Sequence, residues 1–464
     1  ERRPRGAACV RRGRRSVLAR DRHDRLTKVA APTAGRIAAL ETLRAVRAGA
    51  LADRALDSAA RQLDPRDRAW THELVYGTFR LRARLDHHLA HHSSRPLHRL
   101  DPDTLDILRL GAYQLLEMDG VPDYAAVSAS VDLAKRFAKR SAGFVNAVLQ
   151  SLRRAPAAST FPTLEADPAG HLSTWGSHPR WLVERWVARY GAEAAQRLTA
   201  ADNTRPQLYL RALGTDPGQV AAALAEHGVR TEPVDLLPRA LRVLEGTAAA
   251  ALDAAPVIVQ DPAAGHVVGF IGDVSARVVD LAAAPGGKTI GLACDAPDTE
   301  RLVVAADVSL DRLNRLRENV ARLGQLASGI APVVADGRRP PFRTAGLVLI
   351  DAPCTGTGTL RRHPDGRWRL EPGDITALAA LQTELLDAAA PLVEPGGLLV
   401  YATCSLEREE NEAQVEAFLE KHSDFRIEPG DAASAVMDDR GLLRVLPHEH
   451  GVDGAFAARL RRRA

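Results

Sequence analysis

The chain has 464 residues and 45% apolar content, more than one hydrophobic core accommodates, so two or three domains are expected. Its 62 Lys and Arg against 58 Asp and Glu give a formal net charge of +4 and, with a pI near 9.0, permit a polyanionic partner without establishing one. Four cysteines without a C-x-x-C spacing argue against a zinc knuckle and a secreted disulfide framework, and no window approaches the roughly 18 uninterrupted apolar residues of a membrane helix, so a cytoplasmic compartment is expected.

Residues 1–32, with eleven Arg or Lys in the first 28 positions, read as a disordered basic arm. Over residues 33–155 apolar side chains recur at spacings of three and four, as in Leu105, Leu108, Ala112 and Leu115 or Val127, Val131, Ala134 and Ala138. Breakers at Asp64-Pro65, Arg95-Pro96, Asp101-Pro102 and Val121-Pro122 divide that stretch into an all-α bundle. Residues 156–256 begin as an Ala, Pro, Ser and Thr linker to about Ser177. A helix then opens at His178-Pro179, and short strands at Leu208–Leu210, Val229 and Val234 surround a helix over 217–226, a small α+β module. From 257 to 464, apolar runs at Val278-Val279, Leu302–Val304, Val333-Val334, Leu347–Ile350 and Leu398–Tyr401 alternate with helical stretches, which predicts a doubly wound α/β domain with a mostly parallel sheet.

Val279 to Thr289 runs from a strand through Ala282, Ala283, Ala284, Pro285, Gly286 and Gly287 into a helix at Lys288, the place where an open α/β sheet binds a ligand. A P-loop would need glycine at 282, where Ala282 stands, and no G-x-G-x-x-G is present. Asp307, about twenty residues on, is placed to take a ribose hydroxyl pair, against the alternative of a helix cap with Ser309. Asp336 ends the third strand, where it would meet an adenine amino group or only cap a turn. A nucleoside-containing ligand fits this set.

Cys354 follows Asp351-Ala352-Pro353 after one apolar run, and Cys404 follows Thr403 after the next. The turn beyond Cys354 continues into the basic stretch Arg361 to Arg369 with Trp368, suited to holding phosphate and stacking on a base, so nucleic acid is the expected substrate. Cys404 precedes Ser405-Leu406-Glu407, read as the start of an acidic helix whose N-terminus would stabilise a thiolate. By position alone either thiol could equally be a packing residue, and Cys294 reads as core.

The stretches DLAAAPGGKT, DAPCTGTGTLRRHPDGRW and YATCSLEREENE together resemble the RNA cytosine-5 methyltransferases, in particular the bacterial 16S ribosomal RNA family called RsmB or Sun. The similarity covers about residues 33–464. Residues 33–155, with Leu74-Val75-Tyr76-Gly77, Ile107 to Tyr113 and Gly143 to Leu149, resemble that family's NusB-like RNA-binding domain. The resemblance implies methyl transfer from S-adenosylmethionine to carbon 5 of a cytosine in small-subunit rRNA, by a monomer without a metal. It assigns Cys404 as nucleophile, Cys354 to release, Asp351 to the cytosine ring nitrogen and Lys288 as a charged contact. Ala282 to Lys288, Asp307, Asp336 and the edge at Asp351 would hold the methyl donor, residues 156–256 would be a further RNA-binding module, and 257–464 the methyltransferase domain. Two places depart from the family pattern: Ala455 replaces a second aromatic, and Asp261-Pro262-Ala263-Ala264-Gly265 replaces a more polar stretch.

Rival readings are a tRNA or DNA cytosine-5 methyltransferase and a non-catalytic ribosome-assembly protein. Thr355 after Cys354, together with a second thiol, disfavours DNA, and the intact thiols and glycine loop disfavour a retired enzyme. The cluster His87, His88, His91 and His92 reads as a solvated helix end, not a metal site, and Trp175, Trp181 and Trp186 read as packing.

Overall fold

A computed structural model describes residues 33–464 other than 157–159, 236, 273–276, 296–300 and 431–432; the basic arm lies outside the described residues. The chain divides at Asp167/Pro168 into two compact units.

The first unit is helical, as expected. Its α-helices among the described residues are Ala34–Arg47, Ala52–Ala59, Pro65–Arg80, Arg82–His92, Pro102–Glu117, Asp123–Phe137 and Ala142–Arg154. Two of the Asp-Pro breakers act as helix starts: Asp64 and Asp101 accept from the Asp67 and Thr104 amides at 2.9 and 3.1 Å, with proline in the first turn, where its missing N–H costs nothing. Leu40, Leu74, Leu85, Ile107, Leu108 and Leu149 form the buried interior. Gly77 lets the Pro65–Arg80 helix pass against the Tyr113 ring, since a Cβ there would lie 1.9 Å from Cζ.

The second unit carries two sheets. Helices Pro168–Thr174, Arg180–Tyr190 and Ala192–Asp202 lead into an antiparallel sheet of β1 (Tyr209–Ala212), β2 (Arg230–Val234), β3 (Leu237–Glu245) and β4 (Val257–Val259), ordered β2-β3-β1-β4. Two details differ from the sequence reading. The expected linker contains the Pro168–Thr174 helix, and Val257–Val259, read as opening the α/β alternation, hydrogen-bonds to β1 and completes the small sheet. A three-residue apolar run carries no signal of which sheet it joins.

The larger sheet comprises β5 (Arg277–Asp280), β6 (Leu302–Asp307), β7 (Ile330–Val334), β8 (Ala345–Asp351), β9 (Val393–Thr403), β10 (Phe425–Ile427), β11 (Leu443–Val445) and β12 (Ala455–Arg462), in the order β10-β12-β9-β8-β5-β6-β7 with β11 on β12. The five strands from β5 to β9 pair in parallel, and β12 joins β9 antiparallel. All five expected apolar runs are strands, and their continuity has a direct cause. Leu347 and Leu349 enter the core on one face while Val348 and Ile350 enter that on the other, all fully buried. The chain runs β5-β6-β7 to one side and returns through β8-β9 on the other. The order therefore reverses between β5 and β8, and a crevice opens at the carboxyl ends of these strands.

Candidate active site

The candidate ligand and thiol residues follow the strand ends around that crevice. Asp280 ends β5, Asp307 ends β6, Asp336 follows β7, Asp351 ends β8 and Cys404 follows β9. Asp280 is buried and accepts the Thr289 hydroxyl at 2.7 Å; burial, opposed by that bond, pushes its carboxyl up to about 7. The loop beyond it is pinned from below, with the Leu281 amide on Leu349 O at 2.9 Å, the Ala283 amide on Ala306 O at 2.8 Å and the Ala284 amide on Asp307 Oδ2 at 3.3 Å. Gly286 turns the chain into the Gly287–Cys294 helix at φ 108°, and a Cβ there would lie 2.4 Å from Leu316 Cδ1.

Asp307 accepts the Ser309 amide at 2.8 Å while Ser309 caps the next helix, so the capping arrangement read from the sequence is present. The half-buried Asp336 binds the Arg338 amide at 2.9 Å and the Arg338 guanidinium, whose bonds hold its carboxyl down at about 2. A nucleoside sulfonium fits this set. The first amides of the Gly287–Cys294 helix have no intrahelical acceptor by position, the two glycines keep side chains away from them, and two carboxylates at successive strand ends supply acceptors for ribose and amino groups.

The two cysteines meet. The Ala352 amide donates to Ala402 O at 2.8 Å and the Gly358 amide to Cys404 O at 2.9 Å, which extends the β8–β9 pairing into the loops and sets Cys354 Sγ 3.4 Å from Cys404 Sγ. Both are half-buried. Lys288 Nζ lies 2.7 Å from Asp351 Oδ2; burial lowers the ammonium, but Asp351 outweighs it and leaves the group above its ordinary value. The thiols are unequal. Cys404 is lowered, foremost by the S–H bond Cys354 donates and with help from Lys288, against burial and the Asp351 charge. Cys354 is raised well above the usual thiol range by that same bond and by burial. Of the pair, Cys404 is the thiol whose ionisation is favoured and Cys354 the one whose ionisation is opposed.

Two expectations need correction. Cys404 does not cap a helix: Ser405–Glu407 is irregular, Arg408–Glu410 is a single 3-10 turn and the next α-helix starts at Glu412. Its acidity comes from Cys354 and Lys288 instead. The basic stretch after Cys354 is largely structural. Arg367 is fully buried and donates to Ser177 O at 3.1 Å, Asn203 Oδ1 at 2.8 Å and Asp202 O at 3.1 Å. Arg361 is buried on Gly451 O and Asp453, and Arg362 pairs with Asp453 and Asp261. Asp261, in the stretch that departs from the family pattern, thus anchors the loop leaving Cys354. Cys294 is core as expected, with burial pushing its thiol up to about 11, and Trp186 is buried with Nε1 donating to Glu407 Oε1 at 3.1 Å.

Sequence reasoning missed Glu410, a fully buried carboxylate beneath both cysteine loops, because the run Glu407-Arg408-Glu409-Glu410 reads as a solvated helix face. It also left Asp280 without a role, although an acidic residue closing an apolar strand ahead of a glycine loop is the signal that marks it.

Three family models match the chain: "16S rRNA methyltransferase RsmB/F" over residues 273–461, "NusB family" over 33–154, and an RsmF/B-like ferredoxin-like domain over 178–250. Among curated relatives, a probable ribosomal RNA small subunit methyltransferase B of Synechocystis is 37% identical over 428 residues, covering 88% of this chain and 95% of its own length. That of Bacillus subtilis is 33% identical, covering 87% and 92%. The crystal structure of PH0851 superposes with a TM-score of 0.76 at 28% identity, covering 92% of this chain and 98% of its own. NSun6 from Pyrococcus horikoshii with SFG, at 21% identity, TM-score 0.54 and coverage of 61% and 98%, shares the fold. Matched almost end to end by such relatives, and with a crevice that fits S-adenosylmethionine, the chain belongs to the 16S rRNA methyltransferase RsmB/F family.

Proposed function

We propose that this chain methylates carbon 5 of a cytosine in small-subunit ribosomal RNA through a transient covalent bond between Cys404 and carbon 6. The observation that carries this reading is the pair of unequal thiols 3.4 Å apart at the ends of adjacent parallel strands, beside the Lys288–Asp351 ion pair. Bound S-adenosylmethionine supplies an electrophilic methyl group on a sulfonium, held by Ala282 to Lys288, Asp307 and Asp336 with Asp351 at its edge.

Carbon 5 of cytosine is too electron-poor to attack that methyl unaided. The Cys404 thiolate forms a bond to carbon 6, and the displaced π electrons make carbon 5 nucleophilic, while a proton held between the Asp351 carboxyl and the ring nitrogen, with the Lys288 ammonium beside it, neutralises the charge that develops at that nitrogen. Carbon 5 takes the methyl group as the sulfonium–methyl bond breaks. It then gives up its proton to water in the crevice, and the electrons of that bond form the carbon 5–carbon 6 double bond and expel the Cys404 sulfur from carbon 6. Cys354, which keeps its proton next to the departing sulfur, assists this release. The target base must leave any helical stack to reach the crevice. The NusB-like domain, which matches an RNA-binding family, and the small α+β module would hold the surrounding RNA.

Tritiated methyl transfer to 16S rRNA tests the assignment. Cys404→Ser is expected to abolish incorporation, and Cys354→Ser to accumulate a protein–RNA adduct that survives denaturing electrophoresis. Bisulfite sequencing then locates the modified cytosine. Full incorporation by Cys404→Ser would overturn the thiol roles, and a wild-type chain that binds rRNA yet methylates nothing would favour the assembly reading.

A further inference from the structure

Glu410 is fully buried, and its carboxylate collects hydrogen bonds from three directions. Oε1 accepts the Thr355 amide at 2.9 Å and Gln382 Nε2 at 3.1 Å, and Oε2 takes the hydroxyls of Thr355 and Ser405. The two amides can only donate and the hydroxyls complete the shell, the arrangement that makes a buried carboxylate tolerable as an anion. Thr355 is the residue after Cys354, and Ser405 is the residue after Cys404.

The carboxylate therefore joins the chain at one thiol to the chain at the other, across fifty residues of sequence. Neighbouring bonds stiffen the joint. Gln382 also donates to Pro353 O at 2.8 Å, just ahead of Cys354, and the Tyr401 hydroxyl in β9 donates to Glu410 O at 2.6 Å. The Leu406 amide donates to Thr357 Oγ1 at 2.9 Å, a second link between the same two loops. None of these partners belongs to the glycine loop or to Asp307 and Asp336.

We propose that Glu410 is a positioning residue for methyl transfer: it ties the Cys354 loop to the Cys404 loop and so fixes the spacing and direction of the two sulfur atoms, without touching substrate or methyl donor. This rests on the thiol roles proposed above. Its anion also opposes loss of a proton from either thiol, consistent with Cys354 remaining protonated.

The test is steady-state methyl transfer to 16S rRNA by the full chain carrying Glu410→Gln, which keeps the shape of the side chain but turns one acceptor into a donor facing other donors. The expected result is a fall in kcat of about 10- to 100-fold, since small misplacement of reacting groups costs that much, with the dissociation constant for S-adenosylmethionine within about twofold of wild type. Ser405→Ala should lower kcat by a smaller factor, and in the Glu410→Gln background it should lower kcat by less than it does alone, because the two side chains share a bond.

An unchanged kcat, an affinity for S-adenosylmethionine that falls in step with kcat, or effects of the two substitutions that multiply would each overturn the positioning role. Should Glu410→Gln fail to fold, Thr355→Val with Ser405→Ala replaces it and must show the same split between kcat and affinity. Cys404→Ser, run alongside, separates the two claims. Its retaining activity would remove the thiol reading itself, whereas an inactive Cys404→Ser beside a fully active Glu410→Gln would remove only the role of Glu410.

Discussion

Asp280 couples the stability of the second unit to pH in a calculable way. Its carboxyl is buried and its folded-state value stands at about 7 against 3.8 when unfolded. A raised value means that the folded state binds the proton more tightly. The contribution to stability is thus complete below pH 3.8, falls as pH rises, and is gone above about 7. With those two values, linkage gives a loss of roughly 2–3 kcal/mol between pH 5 and pH 8. Asp280→Asn removes the titration while its amide oxygen still accepts the Thr289 hydroxyl. Urea unfolding followed by tryptophan fluorescence reports on the relevant unit, because Trp175, Trp181, Trp186 and Trp368 all lie in it, against Trp70 in the other. Wild type minus variant stability should shrink by roughly 2–3 kcal/mol from pH 5 to pH 8. A difference that stays constant across that range would show that Asp280 does not titrate there and would refute the reasoning.

The remaining predictions concern the loops. Gly286→Ala places a Cβ 2.4 Å from Leu316 Cδ1 at φ 108°, and should cost about 1–3 kcal/mol and weaken S-adenosylhomocysteine binding by calorimetry about tenfold; unchanged binding would mean that the loop can re-form. Lys288→Met removes the cation that favours the Cys404 thiolate, so iodoacetamide modification of Cys404 at pH 7, followed by mass spectrometry, should slow roughly tenfold. An equal rate would assign the acidity to Cys354 alone. Arg367→Ala strips the donors from Ser177 O, Asp202 O and Asn203 and should destabilise the second unit by about 3 kcal/mol or more in urea unfolding. A cost below about 1 kcal/mol would mean that water enters the site and replaces the guanidinium.

What the sequence could disclose was whatever one segment encodes by itself. The Asp-Pro pairs announced helix boundaries because capping and a fixed proline φ are local effects. The run Leu347–Ile350 announced a strand buried on both faces, and the spacing from Gly287 to Asp307 announced a nucleoside crevice, because each follows from the period of a single element or from one β-α-β unit. Both cysteines were found for the same reason, as the residues that follow two such strands. Their difference was not. The resemblance gave Cys404 the nucleophile's role, but the reason read from the sequence for a stabilised thiolate was a helix that does not begin there, and the asymmetry that favours it arises from Cys354 and Lys288, fifty and more than a hundred residues away in the chain.

The tertiary structure decided which charges are exposed and which are committed. Arg361 and Arg367 look like a phosphate-binding stretch and are instead buried in contacts with residues 177–203 and 451–453, while Glu410, in what looks like a solvated acidic run, is buried against the loops of both cysteines. A buried charge is tolerable only where partners from distant segments converge on it. That convergence is a property of strands brought side by side, and no local pattern of residues records it.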